Sequence, residues 1–455
     1  MDFKKVYMSC PPYVQDILVT FEGFRLNNMR YNRTFKNNLQ EYFRRQSYIE
    51  EQINEYKLRQ LSIVLERASR TIYYGKIFKS LNANWQDFLE PKEFCKIPVT
   101  TKDDLKNRID EFRPRPPLRT DSVISTSGTT GKSLCLPVSK NVEPDQWAVW
   151  WRYRTWHGIN RKICCGLFAS TPIVPHNEEQ RFWRTNFLSK EIRFSGYHIS
   201  LNNTKRYIYA INKYKPQWLH GNTSAISLLA SNMLTLGLKL EYPLKWLTVG
   251  SENVQSWQNE TIKHAFGLKP IQHYGSAEAV ANISECPYGN LHTDEDYSYV
   301  EYLKEDEERF TIVGTPFSNE AVALLRYNTG DLVTLKNGTC PCGRWGRLVE
   351  KIDGRLTDYI VMPGGKKVAT LASPFHSTPG LAEAQIYQDR TGALTVRYVP
   401  SIDWREENIK AIELKLRERV GHSMVIKFQK VEHVPRTKRG KIKLVISDFN
   451  ENKIT

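Results

Sequence analysis

Ser125-Thr126-Ser127-Gly128-Thr129-Thr130-Gly131-Lys132-Ser133 is the stretch from which the rest of the chain can be read. Hydroxyls, two glycines and a lysine stand together between strand-favouring segments, the composition a backbone needs to wrap closely around phosphate oxygens. The P-loop pattern G-x-x-x-x-G-K-[ST] demands a glycine five residues before Gly131, and Thr126 stands there. A P-loop also opens a helix after its lysine, whereas Leu134-Cys135-Leu136-Pro137-Val138 follows here with a proline inside it. The run is therefore expected to join two strands as a flap over phosphate. Read alone, it is also compatible with a ligand-free hairpin.

Working outward, 455 residues with 40% hydrophobic content imply two or three structural units, one of them large. The formal charge of +16 and a pI near 9.3 favour acidic partners: nucleic acid, an anionic membrane or phosphate-bearing small molecules. No apolar run approaches the eighteen or more residues of a membrane span. The start, Met1-Asp2-Phe3-Lys4-Lys5, leads to Cys10-Pro11-Pro12 rather than to the apolar core of a signal peptide, so a cytoplasmic location is expected. Eight irregularly spaced cysteines fit a reducing compartment.

Residues 35–68 lack Gly and Pro and place Leu58, Leu61, Leu65 and Ala68 on one face, which predicts an amphipathic helix used for packing. Trp147, Trp150, Trp151 and Trp156 recur at near-helical spacing, a stripe that favours core. Between Gly166 and Gly275, short apolar runs alternate with helical stretches such as Thr223 to Leu236, which predicts α/β organisation. The acidic run from Asp294 to Glu308 has Tyr299 where an EF-hand loop needs glycine, and is expected to be a solvated face. Past Gly354, residues 383–389 and 394–399 read as strands around Arg390-Thr391-Gly392. Asp403 and Glu406 suggest a capping box for a helix carrying Ile409, Ile412, Leu416 and Val420, ended by Gly421, before a further strand at 425–428. The expected division is a large domain over 1–353, with a helical lead-in to about 120, and a small α+β domain over 354–455.

Further clusters follow the opening run. Tyr274-Gly275-Ser276-Ala277-Glu278 supplies an aromatic face, a close backbone approach and a carboxylate suited to Mg²⁺. Arg326-Tyr327-Asn328-Thr329-Gly330-Asp331 ends in an acid able to accept from ribose hydroxyls. Gly354-Arg355-Leu356-Thr357-Asp358 stands on the expected boundary, and Pro435-Arg436-Thr437-Lys438-Arg439-Gly440-Lys441 lies near the C-terminus. Each has an ordinary reading as a surface acid, a turn, an ion pair or a basic tail.

As one ordered set they resemble the adenylate-forming superfamily of acyl-CoA synthetases, luciferases and peptide-synthetase adenylation domains, and within it the phenylacetate-CoA ligase family. The resemblance covers nearly the whole chain. Gly23 to Tyr31 and Arg67-Ala68 to Phe78 are similar to family members of capsule and O-antigen clusters. It implies a large multi-sheet α/β domain and a small mobile α+β domain. It also implies that Ser127, Gly128, Thr129, Thr130, Gly131 and Lys132 wrap the triphosphate of ATP, that Tyr274 lies on adenine with Gly275 and Ser276 beside it, and that Glu278 binds Mg²⁺. Asp331 and Arg355 would address the ribose, and Lys441 would bridge the carboxylate and the α-phosphate, where negative charge grows in the transition state. His220 and Asn222 fall at the acyl pocket, Ser251 and Glu252 at the adenine edge. Two positions depart from the pattern: Ala277 stands where threonine is usual, and Thr357 where the hinge acid or lysine is usual.

Cys286, His292, Cys340 and Cys342 supply the four N/S ligands that structural Zn²⁺ takes, and related ligases place a metal at corresponding cysteines. The alternative is reduced cysteines in a turn, with His292 a satisfied loop histidine. Cys10, Cys95, Cys135, Cys164 and Cys165 are expected to be ordinary buried thiols. The expected activity is adenylation of a small-molecule carboxylate by ATP followed by transfer to CoA. An amine or hydroxyl acceptor in surface polysaccharide biosynthesis is the alternative within the enzyme class. A basic zinc-containing nucleic-acid-binding protein and an inactive scaffold are alternatives outside it.

Overall fold

The computed structural model describes residues 3–117, 122–125, 134–169, 171–355, 359–362, 367–369, 371, 373–375, 378, 380–437 and 442–449. The chain forms two compact units, one comprising Met1–Arg25, Arg161–Gln272 and Gly354–Thr455, the other Leu26–Asn160 and His273–Asp353. Among the described residues no helix is long and apolar enough to cross a membrane.

In the first unit, the expected alternation of apolar strands and helices gives parallel neighbours in the order Trp246–Gly250, Trp218–Asn222, Cys165–Ala169 and Glu191–Ser195. Trp183–Asn186 closes that edge antiparallel. Helix Leu201–Tyr214 begins where Ser200 accepts from the Asn203 amide, satisfying one of the first-turn donors. Helix Thr223–Thr235 is buried from Thr223 to Met233 without interruption, which is why its sequence is apolar or small all round. Phe194, Tyr207, Leu219, Ile226 and Val249 meet in the core beside this sheet. Each such fully buried large side chain contributes roughly 1.5–3 kcal/mol.

The C-terminal part of the same unit is α+β. Its strands run in the order Ile426–Lys430, Leu394–Pro400, Leu381–Gln388, Val445–Ser447, with an antiparallel central pair and parallel outer pairs. Helix Glu407–Val420 buries Ile412, Leu416 and Val420 against them and ends at Gly421, whose φ of +77° suits glycine. The expected capping box does not form: Glu406 is the N-cap and makes no side-chain cap bond.

In the second unit, the single helix expected over 35–68 is two, Arg33–Arg45 and Glu50–Ser69. The second restarts where the Ile49 amide donates to Gln52 Oε1 at 3.1 Å, a local satisfaction with no Gly or Pro to announce it. Leu61, Leu65 and Ala68 are buried as expected, but Leu58 is 45% exposed. Ser122–Ser125 pairs antiparallel with Cys135–Val138, so two strands do flank the opening run, whose residues 126–133 lie outside the described residues. Helix Val142–Trp156 carries the tryptophan stripe. Antiparallel strands follow in the order Ser298–Lys304, Arg309–Pro316, Tyr327–Lys336, Leu348–Arg355, Leu291–Thr293, Asn282–Glu285 and Ile271–Gly275, around Ile283, Leu291, Ile312, Val333 and Val349.

The acidic run corrects its expectation in its first half. Asp294, Glu295 and Asp296 are buried, not solvated. Arg152, itself 2% exposed, contacts Asp294 and Asp296 at 2.7 Å each, and Arg45 Nε reaches Asp296 at 3.1 Å. Glu295 pairs with Lys57 at 2.7 Å and Arg347 at 2.8 Å. Burial raises the Glu295 carboxyl, and these two cations more than offset it, leaving it below the usual range. Composition cannot reveal this, because the partners come from up to 251 residues away. The thiols also differ from expectation: Cys165 is buried, Cys10 and Cys164 are half-buried, and Cys95 and Cys135 are exposed.

Candidate functional site

Strand Ile271–Gly275 ends in Tyr274 and Gly275, and strand Tyr327–Lys336 carries Asp331. The second strand is irregular where it matters. Its pairing with Arg309–Pro316 slips between Thr311, opposite Leu332, and Val313, opposite Asn328. Gly330, at φ +71°, accommodates that bulge, and the Gly330 and Asp331 amides bond to Asn328 Oδ1 and Thr329 Oγ1 at 2.7 and 3.1 Å. Such a bulge re-aims a side chain, here Asp331. Its Oδ2 accepts from the Tyr274 hydroxyl at 2.7 Å, so two candidate residues 57 apart in sequence are in direct contact. Burial, and then the Asp331 carboxylate, hold that phenol well above its ordinary pKa, so Tyr274 stays a donor.

Glu278 lies in the loop after this strand, half-buried. Its Oε1 accepts from the Tyr327 hydroxyl at 3.3 Å. Burial pushes the carboxyl up and Asp331 adds to that, with Lys102 and Tyr327 acting in the opposite direction. Ser276 Oγ accepts from the Val280 and Ala281 amides at 3.0 and 3.3 Å, and Ala279, at φ +61°, lets the loop close. The Ser276 oxygen is therefore occupied in holding the Glu278 loop, and only its proton is left to offer. A Cβ on Gly275 would lie 3.1 Å from Asn282 Oδ1 and 3.5 Å from Trp150 Nε1, so Trp150 buttresses the Tyr274 strand. The tryptophan stripe was the signal for Trp150, and Tyr327 lies inside a motif whose acid drew attention first.

In the other unit, His220 Nδ1 lies 2.8 Å from Thr248 Oγ1 on the neighbouring parallel strand, and Asn222 is buried just before helix Thr223–Thr235. Ser251 turns the chain at φ +68°. The Glu252 carboxylate accepts from the Ser224 amide at 2.8 Å, from Ser224 Oγ at 3.0 Å and from the Ile442 amide at 3.2 Å. Arg355 ends strand Leu348–Arg355, with its side chain outside the described set. Ser127, Gly128, Thr129, Thr130, Gly131, Lys132, Thr357 and Lys441 also lie outside the described residues.

Cys286, His292, Cys340 and Cys342 converge, their ligand atoms all within 4.8 Å of one another. Two Cys-Pro-x-Gly turns present the thiols, Cys286-Pro287-Tyr288-Gly289 and Cys340-Pro341-Cys342-Gly343. In each the glycine amide bonds back to the first cysteine carbonyl, at 2.8 and 3.1 Å, with φ of +76° and +68°. Cys286 and Cys340 sulfurs are 3.7 Å apart, and Cys342 Sγ lies 3.3 Å from His292 Nε2. Tetrahedral Zn²⁺ would set these separations at about 3.8 and 3.5 Å, so the donor set fits that ion. His292 Nδ1 faces the Trp345 carbonyl at 3.3 Å, the outer-shell contact that leaves Nε2 for a metal. Burial keeps the imidazole's pKa below its ordinary value and hence neutral.

Comparison with known proteins bears on this geometry. A family model described as the CapK C-terminal domain matches residues 360–448. Protein CapK of Staphylococcus aureus is 23% identical over 454 residues, 98% of this chain and 99% of its own. A phenylacetate-coenzyme A ligase of Thermus thermophilus is 23% identical over 313 residues, 65% of this chain and 68% of its own. A 2-hydroxyisobutyryl-CoA ligase crystallised with an acyl-AMP in the postadenylation state superposes with TM-score 0.67, at 17% identity, over 89% of this chain and 91% of that one. The chain shares the fold of this adenylate-bound CoA ligase. In sequence it is similar to CapK and to the phenylacetate-CoA ligases, and its fold is α/β with a small C-terminal α+β part.

Proposed function

We propose that this chain joins a carboxylate to the α-phosphate of ATP, releasing pyrophosphate, and passes the acyl group from the acyl-adenylate to CoA. The observation that carries the reading is the Tyr274–Asp331 hydrogen bond beside Glu278, in a chain related to ligases that make acyl-CoA. Tyr274 offers a ring to adenine while its hydroxyl fixes Asp331, which accepts from the ribose hydroxyls, and Arg355 donates to the ribose oxygens. Glu278 is the residue to hold Mg²⁺, which neutralises phosphate charge. Ser251 and Glu252 edge the adenine with their main chain, and His220 and Asn222 face the acyl group. The 127–132 run grips the triphosphate, and Lys441 meets the charge that grows on the carboxylate and α-phosphate oxygens. Positioning and charge neutralisation supply most of the catalysis in such phosphoryl chemistry.

ATP–pyrophosphate exchange over a panel of carboxylates tests the first step, and absence of exchange with all of them defeats it. Repeating productive reactions with CoA, amino acids and amino sugars identifies the acceptor; thioester formation supports the reading, and amide or ester formation replaces its second step. Cys286, His292, Cys340 and Cys342 would hold Zn²⁺ in a structural role, cross-linking segments about 50 residues apart. We expect near one equivalent of zinc per chain by elemental analysis, reduced severalfold in Cys340→Ser; a trace in the wild type would refute the site.

A further inference from the structure

Arg436 and Ile442, which precede and follow Lys441 in sequence, are both tied to one end of helix Thr223–Thr235. Arg436 and Ile442 form an antiparallel bridge. On the Ile442 side, its amide, the one joined to Lys441 by a peptide bond, donates to Glu252 Oε1 at 3.2 Å. On the Arg436 side, the guanidinium donates to Ser224 Oγ at 3.2 Å and pairs with Glu383, whose other oxygen accepts from the Val434 amide at 2.8 Å. Ser224 joins the two sides, because its amide and hydroxyl both reach Glu252. Glu383 is 1% exposed and Ser224 4%, so the Arg436–Glu383 pair is a desolvated, charge-assisted contact rather than a surface pair, while Glu252 and Ile442 are half-buried.

We infer that Glu252 is a positioning residue for the adenylation step: its carboxylate docks the Ile442 amide onto the helix, with Ser224 and the Arg436–Glu383 pair completing the clasp. The inference rests on the reading that Lys441 serves adenylation. A carboxylate that accepts three hydrogen bonds within one unit loses its grip when neutralised, and the Ile442 amide, next in sequence to Lys441, is then held less firmly. Acyl transfer from a ready-made adenylate has no need of that lysine, so the two half-reactions should separate.

Glu252→Gln and Arg436→Gln test this in the full chain. In both we expect kcat for ATP–pyrophosphate exchange to fall roughly tenfold or more, with KM for ATP within about twofold and transfer from supplied acyl-adenylate within about twofold. Amide hydrogen exchange of the peptide covering Ile442 should speed up roughly tenfold, a readout that needs no substrate. Unchanged exchange protection, an equal loss in both half-reactions, or a raised KM with kcat intact would overturn the inference. If Glu252→Gln does not fold, Arg436→Gln decides by the same measurements. Wild-type protein that supports no exchange with any carboxylate defeats the proposed function, while the Ile442 protection still tells whether the clasp exists.

Discussion

Two sets of carboxylates lie in one unit and are held in opposite ways. Asp294, Glu295 and Asp296 are buried and enclosed by cations: Arg152 spans the two aspartates, Arg45 adds to Asp296, and Lys57 and Arg347 bracket Glu295. Asp294 also accepts from Ser284 Oγ at 2.6 Å and Asn282 Nδ2 at 2.5 Å. Glu278 and Asp331 are half-buried, and each meets a tyrosine hydroxyl, from Tyr327 and Tyr274. The difference separates charge used for folding from charge that can face a ligand. A buried acid is tolerated only when cations and donors replace its water, whereas an acid at a half-open site is propped by a phenol and remains reachable.

Removing the enclosing cation should give the largest effect. Arg152→Ala leaves Asp294 and Asp296 buried without their shared partner and should cost about 3–5 kcal/mol in urea unfolding. A loss below about 1 kcal/mol would mean that water reaches these acids and that the contrast is false.

Asp145 sharpens the comparison by lying between the two kinds. It is buried, and burial pushes its carboxyl up to about 6 despite bonds from the Tyr42 hydroxyl and Asn38 amide at 2.9 and 2.8 Å, both to Oδ1. Because the folded-state value is raised, the stabilising contribution of the neutral form is complete below the unfolded value of about 3.9 and is lost as pH rises through about 6. Asp145→Asn keeps the Oδ1 acceptor and cannot ionise. Its stability relative to wild type should therefore rise from pH 5 to pH 8, by about 1–3 kcal/mol, in denaturant titrations at both pH values. A gap that does not change with pH would remove Asp145 from the buried set.

The smallest expected change is at the site. Asp331→Asn retains an acceptor for Tyr274 and should leave unfolding free energy within about 1 kcal/mol, while kcat/KM for ATP in pyrophosphate exchange falls about tenfold, equivalent to about 1.4 kcal/mol. Equal losses of stability and activity would place Asp331 with the structural acids.

Much of the strand and helix pattern was legible locally. The 383–389 and 394–399 strands, the Gly421 helix end and the strands flanking residues 126–133 follow from alternation, turn residues and proline, all read within a few neighbours. The Tyr274 and Asp331 motifs stood out as residue types, yet their hydrogen bond did not, because it depends on a bulge set by pairing with another strand. Cys286, His292, Cys340 and Cys342 were legible as one four-ligand set, and the fold brings them together, whereas the separations between them depend on how the two Cys-Pro-x-Gly turns pack.

What the sequence determined alone was therefore whatever is encoded over a few residues: periodicity, turn chemistry, and the kinds of side chain available to hold phosphate, ribose and metal. Tertiary structure decided which charges are enclosed and which stay open. Solvation is set by distant partners such as Arg152 and Asp296, so an acidic run that reads as solvent-facing is half interior. It decided likewise that Glu252, which the motif reading placed at the adenine edge, has its carboxylate turned to Ser224 and Ile442. A hydrogen bond between residues 190 apart has no local signature, because its geometry exists only once both segments have packed.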